Sequence, residues 1–309
     1  MRRNDRNRPD IESAGPLPGD AGEVPIGHIE SRGYWANVGR RLWRDPVTLV
    51  FGGILLLIVL SALLAPWLAP HDPNQSSVFK RLAPVGTPGY YLGGDDLGRD
   101  MVSRLLHGGR VSLFMGLTPV FFALLIGGTL GIAAGFIGGR VNMLIMRLMD
   151  VFYAFPSVLL AIGLSGALGA GTRNLLFAIT VVLSPSIARV AESVTTQARA
   201  YDFVEAARAS GAGTFTIVRV HVLSNVLGPI LIYTTSLVSV SIIISAGLSF
   251  LGFGVKPPTP EWGLMLSTLR ASIWVNPYVA VLPGVMIFLT SMCFNLLSDG
   301  LRSAMDMRL

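Results

Sequence analysis

The chain has 309 residues, of which 51% are hydrophobic and only 14% are charged, and its mean hydropathy is +0.60. Soluble domains carry about 25% charged residues, so this composition excludes an ordinary soluble protein and indicates a membrane protein. The net charge of +6 does not indicate nucleic-acid binding, because most arginines lie at the edges of apolar segments, where positive charge sets membrane orientation. The single cysteine, Cys293, excludes an internal disulfide and a cysteine zinc site.

The first 46 residues are polar and interrupted by prolines, and they lack the apolar core of a signal peptide. We predict that 1–46 is a cytoplasmic N-terminal tail and that its first part, 1–33, is disordered. Arg40, Arg41 and Arg44 directly precede the first apolar run. This pattern is typical of a first span whose N-terminus faces the cytoplasm.

Six segments are long and apolar enough to cross a bilayer, which requires about 20 residues. An even number of spans puts both termini on one side, and Arg302 and Arg308 fit a cytoplasmic C-terminus. We therefore predict an all-α, polytopic membrane protein with cytoplasmic loops at 138–141 and 193–225. The predicted spans are 47–69, 112–137, 142–168, 174–192, 226–253 and 279–299, and the predicted external loops are 70–111, 169–173 and 254–278.

Glycines and prolines are frequent inside the predicted spans. Gly127, Gly131 and Gly135 recur at four-residue spacing, so they share one helix face and predict close approach of another helix. Prolines would break a soluble helix, but neighbouring helices in a membrane bundle satisfy the freed backbone groups. We expect this tolerance at Pro119, Pro156, Pro185 and Pro283.

Arg147 and Asp150 form the clearest charge pair inside a predicted span. Their three-residue spacing lets the side chains face each other on a helix. One interpretation is a neutralised structural pair near the cytoplasmic interface. The other is a proton relay or substrate contact, because charge inside a membrane is costly enough to suggest function.

The loop 193–225 is the most informative segment. Its first half is rich in alanine, glutamate and arginine and predicts a short helix, which we expect to end at Gly211. Thr214 is a candidate N-cap for a second short helix, 215–223. The pattern predicts a helix-turn-helix that a soluble partner could bind as a helix in a groove.

A Gly- and Asp-rich segment precedes the second predicted span. Its carboxylates suggest two alternatives, a calcium site or a structured loop that faces an external partner. The spacing does not match an EF-hand loop, which favours the second alternative. The residues in question are Asp95, Leu97, Gly98, Arg99 and Asp100.

Motifs for catalysis are missing from the sequence. A phosphate-binding loop needs Gly-Lys-Ser/Thr, but the only lysines, Lys80 and Lys256, do not follow glycines. No histidine begins a His-Glu-x-x-His pair, and nucleophile-elbow spacing is absent. We therefore expect no enzymatic activity in this chain. If its function requires ATP, the hydrolysis must take place on a separate polypeptide.

The segment Glu205-Ala206-Ala207, followed by Gly211 and Leu223, resembles the EAA loop of binding-protein-dependent ABC transporter permeases. The resemblance implies that this loop, which begins near Tyr201 and Asp202, is the coupling helix that docks on an ATPase subunit. Ser224 departs from the family pattern, which usually has proline there.

Separated motifs resemble the C-type branch of dipeptide/oligopeptide permeases over about residues 35–309. The resemblance implies a first transmembrane helix with an external segment, 47–111, before a five-helix permease core, 112–309. Nickel and glutathione permeases share these motifs. They are His71-Asp72-Pro73, Arg81-Leu82-Ala83-Pro84, Leu92 to Asp100, Ser298 to Arg302 and Asp306-Met307-Arg308-Leu309.

The resemblance implies the permease subunit of an ATP-driven importer in the cytoplasmic (inner) membrane. It implies a second related permease, two cytoplasmic ATPases and an external solute-binding protein as partners. It also implies that this chain binds no cofactor, because the partner ATPases use ATP and Mg²⁺. A homodimeric permease pair remains an alternative within this class.

The resemblance of the 71–100 segment and the C-terminus to peptide permeases implies short peptides as cargo, and the many hydroxyls and few fixed charges of the predicted spans agree with it. Nickel would favour histidine or carboxylate ligands, and the predicted spans contain no histidine. Nickel and glutathione remain alternatives. An ion-coupled secondary carrier would depend on Asp150 or Glu192 as its membrane carboxylate.

Overall fold

The computed structural model of the protein describes residues 39–305. The predicted disordered tail 1–33 and the motif 306–309 lie outside the described residues. Within the described range the chain is helical, with two isolated β-bridges between 87 and 100 and no strand, which confirms the all-α prediction. The helices are α1 (Pro46–Leu63), α2 (Ala65–Leu68), α3 (Met101–Ile137), α4 (Gly139–Tyr153), α5 (Ser157–Leu168), α6 (Thr172–Arg199), α7 (Asp202–Ala209), α8 (Thr214–Phe250), α9 (Trp262–Leu269) and α10 (Pro277–Met305).

Five of these helices are long and apolar enough to cross a membrane: α1, α3, α6, α8 and α10. A sixth crossing requires α4 and α5 together. The two helices meet at 85° around Ala154-Phe155-Pro156, so the predicted span 142–168 is not one straight helix, and the expectation that a helix continues through Pro156 is wrong. The residue before a proline is disfavoured in the α conformation, and here the neighbouring helices do not hold the chain straight.

The other span prolines behave as predicted. Pro119, Pro185 and Pro283 lie inside α3, α6 and α10, which continue through them. Helix α3 also contains a π-helical stretch, Leu124–Gly128, which packs with the rest of the helix against α6.

Helix α3 begins at Met101, eleven residues before the predicted start of the second span. The prediction was wrong because Arg104 and Arg110 lower the local hydropathy. Arg104 is buried and lies 3.2 Å from the Asp95 carboxylate, so its charge is neutralised by the protein. Asp100 is the N-cap of this helix, and its carboxylate accepts a hydrogen bond from the Ser103 amide.

The glycine face of α3 packs on α6, as the sequence predicted. A Cβ atom on Gly127, Gly131 or Gly135 would collide with a carbonyl oxygen of α6. The two backbones therefore approach too closely for any side chain, which is the packing that small residues permit in membranes. The three carbonyls belong to Ser184, Ala188 and Glu192.

The predicted external loop 254–278 contains a buried helix, α9. Trp262 at its start is 1% exposed and donates its indole N–H to the Leu105 carbonyl. Glu261, also 1% exposed, caps α9 by accepting from two of its amides and from the Ser112 hydroxyl. Burial raises the pKa of the Glu261 carboxyl, while its hydrogen bonds oppose the shift.

Candidate functional site

The site is the loop between α6 and α8. Helix α6 ends at Arg199, and α7 begins after Tyr201. Asp202 and Glu205 occupy the first turn of α7, where negative charge complements the helix dipole. Val204 is fully buried and anchors α7 onto the first turns of α8.

Gly211 ends α7, as predicted. Its φ of +82° is in the left-handed region that glycine adopts without a penalty. The Gly211 amide donates to the Arg208 carbonyl, and the Ala212 amide donates to the Ala207 carbonyl. These two bonds form a Schellman motif, which reverses the chain within four residues and turns it back into α8.

The predicted second short helix, 215–223, is not separate. It is the start of α8, which runs from Thr214 to Phe250 through a π-helical stretch, Ile217–Val222. The Thr214 side chain makes no capping hydrogen bond, so that prediction was also wrong. Ser224 occupies the position where the resembled family usually has proline. Its hydroxyl donates to the Val220 carbonyl, and the helix continues without interruption.

The outward surface of the loop combines aromatic rings with charge. The Tyr201 and Phe203 rings lie 5.6 Å apart, and the Phe203 ring lies 6.3 Å from His221. Tyr201 is 52% exposed. The Glu205 carboxylate is exposed, and residues 39–305 provide it with no hydrogen bond or ion pair. This surface can therefore supply both contact area and hydrogen bonds to another molecule.

The remaining predicted residues of the loop divide into two groups. Asp202 and Ala206 are exposed and lie with Glu205 on the accessible part of α7. Ala207 is half-buried against the core. Leu223 is also half-buried and lines an apolar groove between α3 and α8, so its side chain faces the protein and not a partner.

The predicted external residues form a buried ion cluster. Asp95 Oδ2 lies 2.6 Å from Arg99 Nε and 3.2 Å from Arg104 Nε. Asp95 Oδ1 accepts from the Leu97 and Arg99 amides. This carboxylate is occupied by the protein's own donors, so it stabilises the segment and does not offer a calcium ligand.

The other residues of this segment also act mainly within it. Asp100 is fully buried and accepts from the Ser103 amide and hydroxyl. Gly98 has a φ of +71°, and a Cβ there would collide with the Ser77 carbonyl. Leu97 is 52% exposed and is the predicted residue of the segment that remains available to a partner.

Asp150 does not pair with Arg147. Its Oδ1 lies 2.5 Å from Arg189 Nη2, on α6, and the Arg189 guanidinium lies 4.3 Å from the centre of the Tyr153 ring. The predicted pair was local in sequence, whereas the observed partner is 39 residues away. Arg147 is exposed.

Sequence reasoning missed the aromatic part of the loop, Phe203 and His221, and the membrane residue Arg189. Phe203 lies between two motif residues, so an aromatic ring on a solvated helix was the available signal. Arg189 also had a signal, because it is an arginine within a predicted span. Nothing in the sequence indicates that it meets Asp150.

The chain is a helical bundle with five or six candidate membrane crossings, and the short helix α7 lies between two of them. This arrangement is similar to that of ABC importer permeases. In agreement, 66% of the chain superposes on 97% of a subunit of the inward-facing methionine ABC transporter MetNI, with a TM-score of 0.55 and 20% identity. This similarity supports the fold.

The chain belongs to the family described as the binding-protein-dependent transport system inner membrane component, whose model matches residues 127–309. The N-terminal membrane domain of oligopeptide transport permease C matches residues 33–84. The protein is therefore the non-catalytic, multi-pass inner-membrane permease component of an ABC importer. Such importers work with an ATPase and a solute-binding protein, so the chain has partners of both kinds.

Two relatives illustrate the branch. The chain is 44% identical over 265 residues to the di/tripeptide transport system permease protein DppC of Pseudomonas aeruginosa, covering 84% of this chain and 88% of that one. It is 39% identical over 275 residues to the glutathione transport system permease protein GsiD of Pectobacterium atrosepticum, covering 89% and 91%. These matches confirm the predicted permease branch.

Proposed function

We propose that this protein imports di- and oligopeptides as one of two related permease subunits, powered by two cytoplasmic ATPases and supplied by an external solute-binding protein. The ATPases use ATP and Mg²⁺, and this chain binds neither. The observation that carries the coupling part is the projecting loop 199–223, whose exposed carboxylate, Glu205, has no partner within residues 39–305.

Coupling in this proposal follows from the geometry of the loop. The Tyr201 and Phe203 rings and the Glu205 carboxylate lie on the accessible side, while Val204 fixes α7 to α8. An ATPase that binds α7 would therefore move α8, and the spans would alternate between inward- and outward-open states. To switch the population almost fully, ATP binding must favour one state by about 5.5 kcal/mol.

The proposed orientation places both termini and the loop 193–225 in the cytoplasm. It is supported by Arg40, Arg41 and Arg44 before α1. It is also supported by the count of six crossings when α4 and α5 traverse the membrane together. The loop then lies on the side where an ATPase has access to nucleotide.

Peptide cargo is supported by the 44% identity to a di/tripeptide permease. Glutathione is the second candidate, because another relative with 39% identity is a glutathione permease, and glutathione is itself peptide-like. Nickel has weaker support, since no group of three metal-ligating side chains occurs within residues 39–305. A secondary carrier is disfavoured, because Asp150 is paired with Arg189 and Glu192 accepts from Asn142.

The test is uptake by a strain that lacks this chain, complemented with the wild-type protein. We expect restored growth on di- and tripeptides as the sole amino-acid source and restored uptake that depends on ATP. Glutathione and nickel uptake are measured in parallel. Recovery of nickel accumulation alone would overturn the peptide assignment, and uptake that survives removal of the ATPases would overturn the importer mechanism.

A further inference from the structure

A cavity of about 300 Å³ lies between α4, α5, α6 and α8, where the α4–α5 bend opens the bundle. Irregular backbone at membrane depth is tolerated where it lines a cavity or is buried in protein. Six of the twelve lining residues are aliphatic, and the other six carry aromatic rings or hydroxyls. Its most useful members for binding are Phe152, Tyr153, Phe155, Ser157, Ser186 and Tyr233.

Arg189 borders this cavity. It lies one helical turn beyond Ser186 on the same face of α6, and its guanidinium rests against the Tyr153 ring. The Arg189 and Asp150 side chains are 47% and 44% exposed. The ion pair is therefore not sealed inside the bundle, and it touches the cavity wall through Tyr153.

Lipid is a poor neighbour for this face. Both residues lie in helices that cross the membrane, and a charged side chain at membrane depth costs several kcal/mol against hydrocarbon. The accessible pair is instead compatible with a water-filled path or with a second permease across it. The cavity and the pair together identify one wall of that path.

We propose that Arg189 binds the terminal carboxylate of a peptide as it crosses the membrane, and that Asp150 and Tyr153 are positioning residues for Arg189. This inference rests on the proposed peptide import. The guanidinium carries five N–H donors, and Asp150 accepts the one hydrogen bond that Arg189 donates within residues 39–305. The remaining donors suit a carboxylate, which arginine binds with two parallel hydrogen bonds.

The carboxylate is the group that peptides of every sequence share. A site that binds this group and surrounds it with aromatic rings and hydroxyls accepts varied side chains without a dedicated counter-ion for each. Glutathione also carries carboxylates, so the same chemistry serves both proposed cargoes.

The experiment compares uptake of dialanine with uptake of dialanine amide, which lacks the carboxylate. Cells express the whole importer with wild-type permease, Arg189→Gln, Arg189→Lys or the control Arg173→Gln. The control removes an exposed arginine near the start of the same helix, about 24 Å away along α6. Because every strain has the same binding protein, its own preference cancels when acid-to-amide ratios are compared between strains.

Losing hydrogen bonds to a charged group changes an equilibrium by roughly tenfold or more. We expect Arg189→Gln to lower the ratio of dialanine uptake to dialanine amide uptake by roughly tenfold. Uptake of the amide itself should be unchanged or increased. Arg189→Lys should lower the ratio less, because it keeps the charge but loses the planar fork. Arg173→Gln should keep the wild-type ratio.

Several outcomes would overturn the inference. An unchanged ratio in Arg189→Gln, at wild-type membrane levels, would exclude carboxylate recognition. Equal loss of both substrates would indicate a structural role only. If Arg189→Gln fails to insert, an unchanged ratio in Arg189→Lys decides against the inference. If the wild-type importer takes up neither compound, the proposed function fails first and the inference fails with it.

Discussion

The segment 71–104, before and at the start of α3, and the loop 199–223, between α6 and α8, use similar residues in opposite ways. Both connect membrane helices, and both contain acidic and arginine side chains. In the segment 71–104, Asp95, Arg99 and Arg104 are each less than 5% exposed, and both arginines form ion pairs with Asp95. In the loop, Asp202 and Glu205 face outward. Charge identity alone therefore does not reveal a partner site, whereas the presence or absence of an internal counter-charge does.

The largest effect is expected from breaking the buried ion cluster around Asp95. Asp95→Asn would leave two buried guanidinium groups without their common carboxylate, and removing one partner of a buried ion pair costs about 3–5 kcal/mol. We expect little protein in the membrane and a lower melting temperature in detergent. The control is Asp96→Asn, whose side chain is 29% exposed.

Asp96 is a suitable control for a second reason. Burial and the neighbouring Asp95 carboxylate raise the pKa of Asp96, so the fold already disfavours its charged form. Neutralising it should therefore leave protein levels near wild type. Equal losses in Asp95→Asn and Asp96→Asn would contradict a specific role for the Asp95 cluster.

The next largest effect is expected at the Gly211 turn of the loop 199–223. Gly211→Val forces a β-branched residue into left-handed backbone, which costs roughly 1–2 kcal/mol and misdirects α7. We expect a permease that inserts normally but loses most ATP-driven uptake. Gly213→Ala is the matched control, because its φ is −67° and a Cβ there meets no atom within 4 Å. Normal uptake by Gly211→Val would exclude a coupling role for this turn.

A smaller effect is expected at Glu205. Glu205→Ala removes one outward-facing acceptor, and a single hydrogen bond contributes about 0.5–1.5 kcal/mol. Uptake should fall a few-fold, with unchanged permease stability, because the carboxylate has no contact within residues 39–305. Glu205→Gln keeps an acceptor and should retain more activity than alanine. A fall in melting temperature would instead indicate an internal role.

The smallest effect is expected from single cysteines that test orientation in a Cys293→Ala background. Tyr91 and Trp274 are 70% and 90% exposed, and Ser210 is exposed on the loop. Transport should be unchanged in all three. Impermeant reagent added from outside should label the cysteines at 91 and 274, and it should label 210 only after permeabilisation. Labelling of 210 in intact cells would reverse the proposed topology.

Local features were predictable from the sequence. Gly211 was predicted to end a helix because a left-handed turn needs glycine, and the α3 glycine face was predicted from its four-residue period. The apolar segments were predicted from their length and composition. Each of these signals depends on residues that are close in the sequence, so no tertiary information was needed.

Tertiary relations were not predictable. Arg104 appeared to belong to an aqueous loop because its counter-charge, Asp95, lies in a turn that sequence periodicity does not describe. Asp150 was assigned to Arg147 because sequence spacing reveals neighbours on one helix and not across two. The buried start of α9 was missed because Glu261 is satisfied mainly by backbone amides and by Ser112, which is 149 residues away.

The unbroken course of α8 has a mechanical consequence. Its 37 residues correspond to a rod of about 55 Å, far longer than the roughly 30 Å hydrocarbon core. The rod begins just after the Gly211 turn and continues through the π-helical stretch Ile217–Val222 and through Pro229. A tilt of only a few degrees at one end would therefore shift the other end by several ångströms, so small strokes of an ATPase would be amplified across the membrane.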